Sequence, residues 1–314
     1  MVRAFPNNPP LALACLALLL HGGAPIAFAG DVAVLTSADV DAYRSAVAGF
    51  KSVLVRHRVA KEYDMNGDFD RGRGQLSEIE SEVQPDLILA VGAWALQVVA
   101  EKGTTIPTIY TMVLNPPAIL GQQSTTITGA SMNVPTERAL GILVTLGPEV
   151  RRIGVVFDPS HTAYLLAEAR QTALPGLEFV ALEVSSPGEA VSAFKTLQDQ
   201  GVDALWILPD DTVLKSPKIL EEVILSSLKR GIPLLGSSPR HAEMGAPLSL
   251  YFANSEDIGR QAGELANQVF EGSPASLPFT KARKVDLVVN LRTAEKHGIR
   301  IPDEILAGAS RIIR

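Results

Sequence analysis

Cysteine is almost absent from this chain of 314 residues, which contains only Cys15. That residue lies in an apolar run near the amino terminus, so the sequence beyond it contains no thiol. A fold built from residues 30–314 would therefore have no disulfide, no thiolate metal site and no cysteine nucleophile. Its stability must come from hydrophobic burial, and at about 150 residues per domain this length supports two cores.

An excess of positive charge is missing as well. The formal net charge at pH 7 is −6, from 28 basic and 34 acidic side chains. Nucleic-acid-binding domains need basic patches, so nucleic acid is not an expected partner. After residue 29, no apolar run approaches the roughly 20 residues that cross a bilayer.

The familiar motifs of catalysis and metal binding are also missing. The chain has no Gly-x-Ser-x-Gly elbow, no His-Glu-x-x-His, no phosphate-binding Gly-Lys-Ser loop, and no Gly-x-Gly-x-x-Gly after the first strand. His57, His161, His241 and His297 lack metal-ligand spacing. The segment 64–70 faintly resembles a calcium loop, but glutamine replaces the required glutamate at position 75, so we expect a turn before a helix over 71–83. No enzymatic activity, metal or cofactor is expected.

The amino-terminal segment has the three parts of a secretory signal peptide. Arg3 supplies positive charge, the run from Leu11 to Leu20 is apolar but only about ten residues long, and Ala27-Phe28-Ala29 offers small residues to a signal peptidase. We expect cleavage near Ala29 after general export, and a mature protein in the periplasm. An uncleaved anchor, lipidation at Cys15 and an apolar core helix are the less favoured alternatives.

Strand-like apolar runs alternate with helical stretches along the rest of the chain. Several runs are apolar at consecutive positions, which is typical of parallel strands covered on both faces. The predicted strands are Val32–Thr36, Leu87–Val91, Thr108–Thr111, Ile127–Ser131, Ile153–Phe157, Ala204–Leu208, Pro233–Gly236 and Val285–Asn290. The predicted helices are Asp41–Ser52, Ala93–Lys102, Thr136–Thr145, Thr162–Thr172, Gly188–Gln200, Pro217–Arg230 and Ser255–Glu271. This alternation predicts an α/β fold with doubly wound sheets.

The number of strand–helix units exceeds what one sheet would comfortably hold. Breaks near 131–135, 246–254 and 272–278 would divide the chain into two Rossmann-like lobes joined by three hinge crossings. The first lobe would comprise residues 31–132 plus 252–273. The second would comprise residues 133–249 plus 279–314.

Residues that directly follow predicted strands are the candidate ligand-binding residues, because open α/β sheets bind ligands at the carboxyl ends of their strands. In the first lobe these are Ser37, Gly92, Ala93, Trp94, Met112 and Asn115. In the second lobe they are Ser160, His161, Thr162, Asp210, Asp211 and Ser237. None is basic, so free N–H groups at helix starts would have to hold any carboxylate.

Each candidate also has a purely structural interpretation. Ser160 and Thr162 can cap the helix that follows them, and Asp210 and Asp211 either pair with an ammonium group or cap a helix. Trp94 either stacks on a ligand or packs under a loop. His161 is either a ligand-binding residue or a solvated one. Because the same pattern occurs at most predicted strand ends, on both lobes, the set as a whole favours a ligand cleft.

Four stretches carry a family resemblance. The first is 85–92, and the second is 106–113, followed by Asn115-Pro116 where the family usually has Asp-Pro. The third is 127–131, followed by 146–148 and 152–159. The fourth is 288–294, followed by 297–299 and 301–306. In these the chain resembles the substrate-binding proteins of one ABC transporter group, which have a type I periplasmic-binding-protein fold. Some relatives are similar to aromatic amino-acid receptors. One departure is the segment 250–254, where the family has a tyrosine-bearing sequence of a different form.

The resemblance implies a receptor, expected to be monomeric, that closes two lobes on a small solute. The solute could be an amino acid or related metabolite, and the receptor would deliver it to an ABC permease in the membrane. Two other functions stay open: a sensory module for a membrane signalling receptor, and an exported enzyme using Asp210 with His161 as an acid/base pair. A cytoplasmic regulator would need an amino-terminal helix-turn-helix, where the export signal stands instead.

Overall fold

The computed structural model describes residues 30–121, 126–147, 149–172, 175–273 and 277–314. The predicted signal peptide, residues 1–29, lies outside the described residues. The strands are β1 (Asp31–Thr36), β2 (Arg58–Asp64), β3 (Leu87–Val91), β4 (Thr108–Val113), β5 (Ile127–Ser131), β6 (Arg152–Phe157), β7 (Glu178–Glu183), β8 (Ala204–Trp206), β9 (Leu234–Gly236), β10 (Leu248–Phe252), β11 (Thr280–Lys281), β12 (Val285–Asn290) and β13 (Arg311–Ile313).

Helices connect most of these strands. The α-helices are α1 (Asp41–Val53), α2 (Phe69–Glu78), α3 (Ala93–Lys102), α4 (Pro116–Leu120), α5 (Thr136–Leu143), α6 (Pro159–Thr172), α7 (Pro187–Asp199), α8 (Pro217–Arg230), α9 (Pro239–Met244), α10 (Ser255–Phe270), α11 (Leu291–Lys296) and α12 (Asp303–Ala307). A π-helical turn, Ile79–Val83, extends α2, and a 3-10 turn, Val144–Leu146, extends α5.

The first sheet has six strands in the order β11-β5-β4-β3-β1-β2, and neighbouring strands in it are parallel. Its central strand β3 is buried along its whole length. One face packs apolar residues of α1 and α10, and the other packs those of α2 and α3. Burial on both faces explains why β3 is apolar at every position.

The second sheet has seven strands in the order β13-β12-β10-β9-β8-β6-β7. Only the β10–β12 pairing is antiparallel. Residues of α5 and α6 join the core on one face, and residues of α7 and α8 join the core on the other. These two helix-covered sheets confirm the predicted α/β fold with two doubly wound lobes.

The chain passes between the two sheets three times, as predicted. The crossings follow β5, β10 and β11. The third lies later than expected, because Thr280 and Lys281 pair with Ala130 and Ser131 of the first sheet. The chain therefore leaves the first sheet after Lys281 rather than within 272–278, so Thr280 and Lys281, which were predicted in the second lobe, pair with the first. The other lobe limits stay predictions.

Helix α10 returns to the first lobe after the second crossing and packs closely against α1. A Cβ atom at Gly259 would lie 1.9 Å from the carbonyl oxygen of Ala46, and one at Gly49 would lie 2.0 Å from that of Glu256. Only glycine permits such an approach of the two backbones. The contact fixes α10, and with it the second crossing, against the first lobe.

Candidate functional site

A cavity of about 250 Å³ lies between the lobes, beside the first two crossings. The first lobe contributes Leu114, and Met132 begins the first crossing. The other lining residues, from the crossings and the second lobe, are Asn133, Val134, Thr136, Ala139, Leu165, Trp206, Pro209, Leu235, Gly236, Ser237, Ser238, Pro239, Leu250, Tyr251 and Phe252. Because both lobes and two crossings form its walls, the shape of the cavity depends on the angle between the lobes.

Three aromatic side chains stand in this wall. Trp206 ends β8 and is 7% exposed, with its ring centroid 6.3 Å from that of Phe179. Tyr251 and Phe252 end β10, directly before the second crossing. None of the lining residues carries a charged side chain. The wall therefore suits an apolar ring.

The polar groups of the wall come from the ends of strands and the start of a helix. Ser237 and Ser238 follow β9, and Thr136 begins α5. The Thr136 hydroxyl accepts a hydrogen bond from Lys281 Nζ at 2.9 Å. The buried Asn133 amide oxygen accepts from the Asn115 N–H group at 2.9 Å and from Ser131 Oγ at 2.6 Å. Thr136 and Asn133 are thus held in place by the protein itself.

Asn115 joins the two lobes through its side-chain amide. Its Nδ2 donates to the carbonyl oxygen of Pro209 at 2.7 Å, and its Oδ1 accepts from the Tyr164 hydroxyl at 2.9 Å. Asn133 Nδ2 donates to the same oxygen at 2.8 Å. Pro209 and Tyr164 belong to the second lobe, whereas Asn115 follows β4 of the first. These bonds border the cavity, since Leu114, Asn133 and Pro209 line it.

The backbone before Asn115 is irregular. The pairing of β4 with β5 shifts register between Tyr110 and Val113, and Met112 has a φ of 58°. Asn115 has a φ of 52°, which asparagine tolerates better than methionine does. Bulges and left-handed residues of this kind redirect a strand end and concentrate at functional sites. Here the bulge carries the chain toward the second lobe.

Two buried aspartates organise the strand ends of the second lobe. Asp210 is 1% exposed and accepts hydrogen bonds from Thr162 Oγ1 and from the N–H groups of Asp158, Thr212 and Val213. Asp211 beside it is exposed. Asp210 therefore caps the turn at 211–214 rather than the following helix α8, which Ser216 caps, and its carboxylate is already saturated by the protein.

Asp158 holds the start of α6. It accepts from the Ser160 N–H and hydroxyl groups and from the Thr212 hydroxyl, and lies 3.1 Å from His161 Nδ1. Burial raises the pKa of Asp158, but the hydrogen bonds from Ser160 and Thr212 outweigh that effect and bring the pKa to about 2. His161 therefore has Asp158 as its carboxylate partner. The pairing of His161 with Asp210 that the enzyme alternative would need is not what the structure shows.

The strand ends of the first lobe form a separate group. Ser37 Oγ donates to the Val91 carbonyl and accepts from the Ala95 N–H group, each at 2.9 Å, so it anchors the start of α3. Gly92 precedes that helix with a φ of 90°. Trp94 is 44% exposed, and its ring centroid lies 5.1 Å from that of Phe69. Ala93 is half-buried beside it.

Of the twelve predicted site residues, Ser237 alone appears among the residues that line the cavity. Asn115 bonds directly to two lining residues, Asn133 and Pro209. Met112 is buried in the bulge beneath it. The remaining candidates lie at the other strand ends, where their roles in ligand binding stay predictions. No group of three or more His, Cys, Asp or Glu side chains in the described ranges is arranged to hold a metal ion.

Selecting the residues that directly follow predicted strands missed the aromatic side chains of the cavity wall. Trp206 lies inside a predicted strand rather than after it, and Tyr251 and Phe252 belong to β10, which was not predicted. One signal was present: the chain has only two tryptophans, and a Tyr-Phe pair adjoins a predicted break between the lobes. Aromatic residues at a hinge crossing face the space between lobes.

The sequence model of the ABC transporter substrate binding protein family matches residues 31–313. The chain belongs to this family. The match confirms the resemblance seen in the sequence, and the two-lobed fold agrees with the structural relatives. The crystal structure of a conserved domain protein from Vibrio cholerae is 24% identical and has a TM-score of 0.59, covering 91% of this chain and 100% of that one.

Two further relatives have ligands or names that bear on binding. A tyrosine-binding protein of Clostridioides difficile (strain R20291) is 25% identical over 214 residues, which cover 65% of this chain and only 61% of that relative's length. The structure of an ABC domain from Streptococcus pneumonia in complex with L-Trp is 21% identical, has a TM-score of 0.60, and covers 91% of this chain and 100% of that one. At this identity the structural match shows the fold.

Proposed function

We propose that the protein is the extracytoplasmic solute receptor of an ABC importer. It closes two lobes on a small solute and delivers the solute to a membrane permease. The cavity between the lobes carries this proposal, because a solute bound there contacts both lobes and the crossings. Such a solute stabilises the closed arrangement over the open one through contacts that exist only when the lobes meet.

The chemistry of the cavity favours an amino acid or related metabolite with an apolar ring. Trp206, Tyr251 and Phe252 supply ring-shaped apolar surface, and no lining side chain carries a charge. An aromatic side chain that buries about 150 Å² gains roughly 4 kcal/mol from this term alone. The tyrosine-binding and L-Trp-bound relatives are consistent with this solute class.

The charged groups of an amino acid would then lie outside the apolar cavity, toward the strand ends. In the first lobe, α3 begins after Gly92. Ser37 Oγ occupies the Ala95 N–H group, which leaves the N–H groups of Ala93 and Trp94 at the helix start. Free N–H groups at such a helix start favour a carboxylate. In this arrangement Gly92, Ala93 and Trp94 contact the polar end of the solute, and Trp206 contacts its ring.

Export through the amino-terminal segment is part of the proposal. No helix in the described part of the chain is long and apolar enough to span a membrane. Expression in a bacterium that exports by the general route should give a periplasmic protein whose mature sequence starts at Gly30. Sequencing the amino terminus of the periplasmic product tests this. A product retaining residues 1–29 in the membrane fraction would favour an anchored protein.

Trp206 provides a direct test of the binding site. With Trp94→Phe, Trp206 is the only tryptophan, so its emission reports on the cavity. We expect L-tyrosine or L-phenylalanine to change this emission and to raise Tm, since a ligand at 100 times its Kd stabilises by about 2.7 kcal/mol. L-glutamate and ribose serve as controls. Trp206→Ala should weaken binding about tenfold, equivalent to roughly 1.4 kcal/mol. Binding that is unchanged in Trp206→Ala would exclude this cavity.

A transport assay separates import from sensing. Proteoliposomes containing the permease and ATPase encoded beside this protein should take up the identified solute only when the loaded receptor is added. If no uptake follows but the loaded protein activates a membrane signalling receptor, the protein is a sensory module instead.

A further inference from the structure

The cavity wall formed by Gly236, Ser237, Ser238 and Pro239 has a buried histidine behind it. His241 lies in α9 and is 5% exposed, and it does not line the cavity. Its Nδ1 atom accepts a hydrogen bond from the N–H group of Ser237 at 3.0 Å. A ring nitrogen that accepts in this way carries a lone pair, so the ring proton sits on Nε2 and the side chain is neutral.

Close packing leaves this part of the wall little room to shift. A Cβ atom at Gly236 would lie 2.5 Å from Cβ of His241 and 2.4 Å from Oγ of Ser249. The segment thus lies directly against the histidine on one side and β10 on the other. Any movement of Ser237 toward α9 meets the imidazole ring.

The histidine is itself well anchored. Its N–H group donates to the Ser238 carbonyl at 3.1 Å, and its carbonyl accepts from the Ala246 N–H group at 2.8 Å. Asn290 Nδ2, at the end of β12, donates to the carbonyl of the next residue, Ala242, at 2.8 Å. The imidazole ring is therefore a fixed support rather than a mobile one.

We propose that His241 is a positioning residue of the solute site, whose neutral ring fixes Ser237 and Ser238 in the cavity wall by accepting the Ser237 N–H group. The inference rests on the proposed function for its effect on solute binding, and adds the residue that sets the shape of one wall. His241 acts through Ser237 and does not touch the solute. Without an acceptor behind it, the Ser237 N–H group would have to turn toward water or toward the solute.

Two substitutions distinguish the acceptor from the bulk of the side chain. In His241→Asn, Oδ1 stands at the same distance from the backbone as Nδ1 and can accept the same bond. In His241→Leu the site keeps an apolar side chain and loses the acceptor. Amide hydrogen exchange at Ser237, followed by NMR, measures the bond without any solute, and titration with L-tyrosine measures its effect on binding.

We expect His241→Leu to speed exchange of the Ser237 amide at least tenfold and to weaken L-tyrosine binding about fivefold, the value of a typical single hydrogen bond. His241→Asn should retain protection and affinity within twofold of the parent protein. Circular dichroism at the assay temperature checks that each variant is folded.

The proposal is overturned if Ser237 stays protected in His241→Leu, or if His241→Asn exchanges as fast as His241→Leu. The second result would assign the effect to ring packing. If L-tyrosine does not bind the parent protein, the solute class proposed above is wrong, and the exchange rates at Ser237 still decide the role of His241. If His241→Leu is unfolded, exchange and binding in His241→Asn decide the matter alone.

Discussion

Single buried side chains near the cavity act through hydrogen bonds rather than through charge. Asn115 stands where the family usually has aspartate, and the structure explains what the amide adds. An aspartate could accept from Tyr164, but it could not donate to the Pro209 carbonyl as Asn115 Nδ2 does. The amide of Asn115 therefore supplies a bond between the lobes that a carboxylate at this position could not.

His241, which also acts through a hydrogen bond, has a pKa below its ordinary value. Burial, and to a lesser degree the neighbouring Arg240 guanidinium, lowers the pKa of His241 from 6.5 to about 4. The ring is consequently neutral at neutral pH, as the bond from Ser237 requires. Protonation would place an N–H group against the Ser237 N–H group.

The contribution of His241 to folding stability should therefore decrease as the pH is lowered. The unfolded chain protonates His241 near pH 6.5 and the folded chain near pH 4, so folding stability is lost progressively as pH falls between these values. The loss should approach roughly 3 kcal/mol at pH 4. Urea unfolding of the parent protein and His241→Asn from pH 7 to pH 4 measures it, because carboxylate titrations common to both proteins cancel in the difference. Identical pH dependence of the two proteins would contradict this expectation.

At the scale of helices and strands, the sequence predicted the buried elements best. β3, β5, β12, α3 and α8 have the predicted bounds; a continuous apolar run marks β3, and clear helix ends mark α3 and α8. β2 and β7 were missed because they are edge strands with mostly exposed or half-exposed, partly charged faces, which an apolar pattern does not reveal. Predicted strand Ala204–Leu208 ends at Trp206, although Ile207 and Leu208 stay buried.

The candidate site was only partly predictable for a related reason. Residues after strands can be read from the sequence, and Ser237 was found in this way. Trp206 and Tyr251 point into the cavity from within strands, and whether a strand residue faces a core or a cleft depends on how two lobes meet. That relation is set by contacts between distant segments, such as Asn115 with Pro209, which sequence periodicity does not encode.

The close packing of α1 against α10 can be tested by adding a methyl group at the contact. Gly259→Ala should destabilise the protein by about 1–3 kcal/mol, because its Cβ would lie 1.9 Å from the Ala46 carbonyl oxygen. Gly141→Ala is the matched control, since Gly141 is exposed in α5 with no atom within 4 Å of its Cβ position. It should stabilise by up to about 1 kcal/mol through helix propensity. Free energies of unfolding in urea compare the two. A gain in stability at both positions would show that the two helices are further apart.

At the scale of the whole molecule, the lobes are joined by side chains as well as by the crossings. Tyr164 bonds to Asn115, and on the same face of α6 Glu168 pairs with Lys281, which belongs to the first sheet. Lys281 also bonds to Thr136 at the first crossing. Helix α6 of the second lobe is therefore tied to the first lobe at two points.

Removing one of these ties should shift the balance between open and closed forms. Tyr164→Phe deletes the bond to Asn115 and should weaken solute binding roughly two- to tenfold, as expected for a hydrogen bond worth about 0.5–1.5 kcal/mol. Small-angle X-ray scattering should show a larger radius of gyration before saturation with solute. Tyr63→Phe, which deletes a bond to Glu78 within the first lobe, is the control and should change neither quantity. Equal behaviour of the two variants would mean that the tie does not differ between the open and closed forms.

The return of α10 to the first lobe has a consequence for the order in which the protein is made. In the core beneath α1, residues of β1 and β3 pack against four residues of α10: Ile258, Ala262, Leu265 and Ala266. A growing chain therefore contains the whole second-lobe sequence up to β10 before this part of the first core can close. Until then α1 covers this face of the early strands without α10. The first-lobe core on this face can therefore be completed only after residues 255–270 have been synthesised.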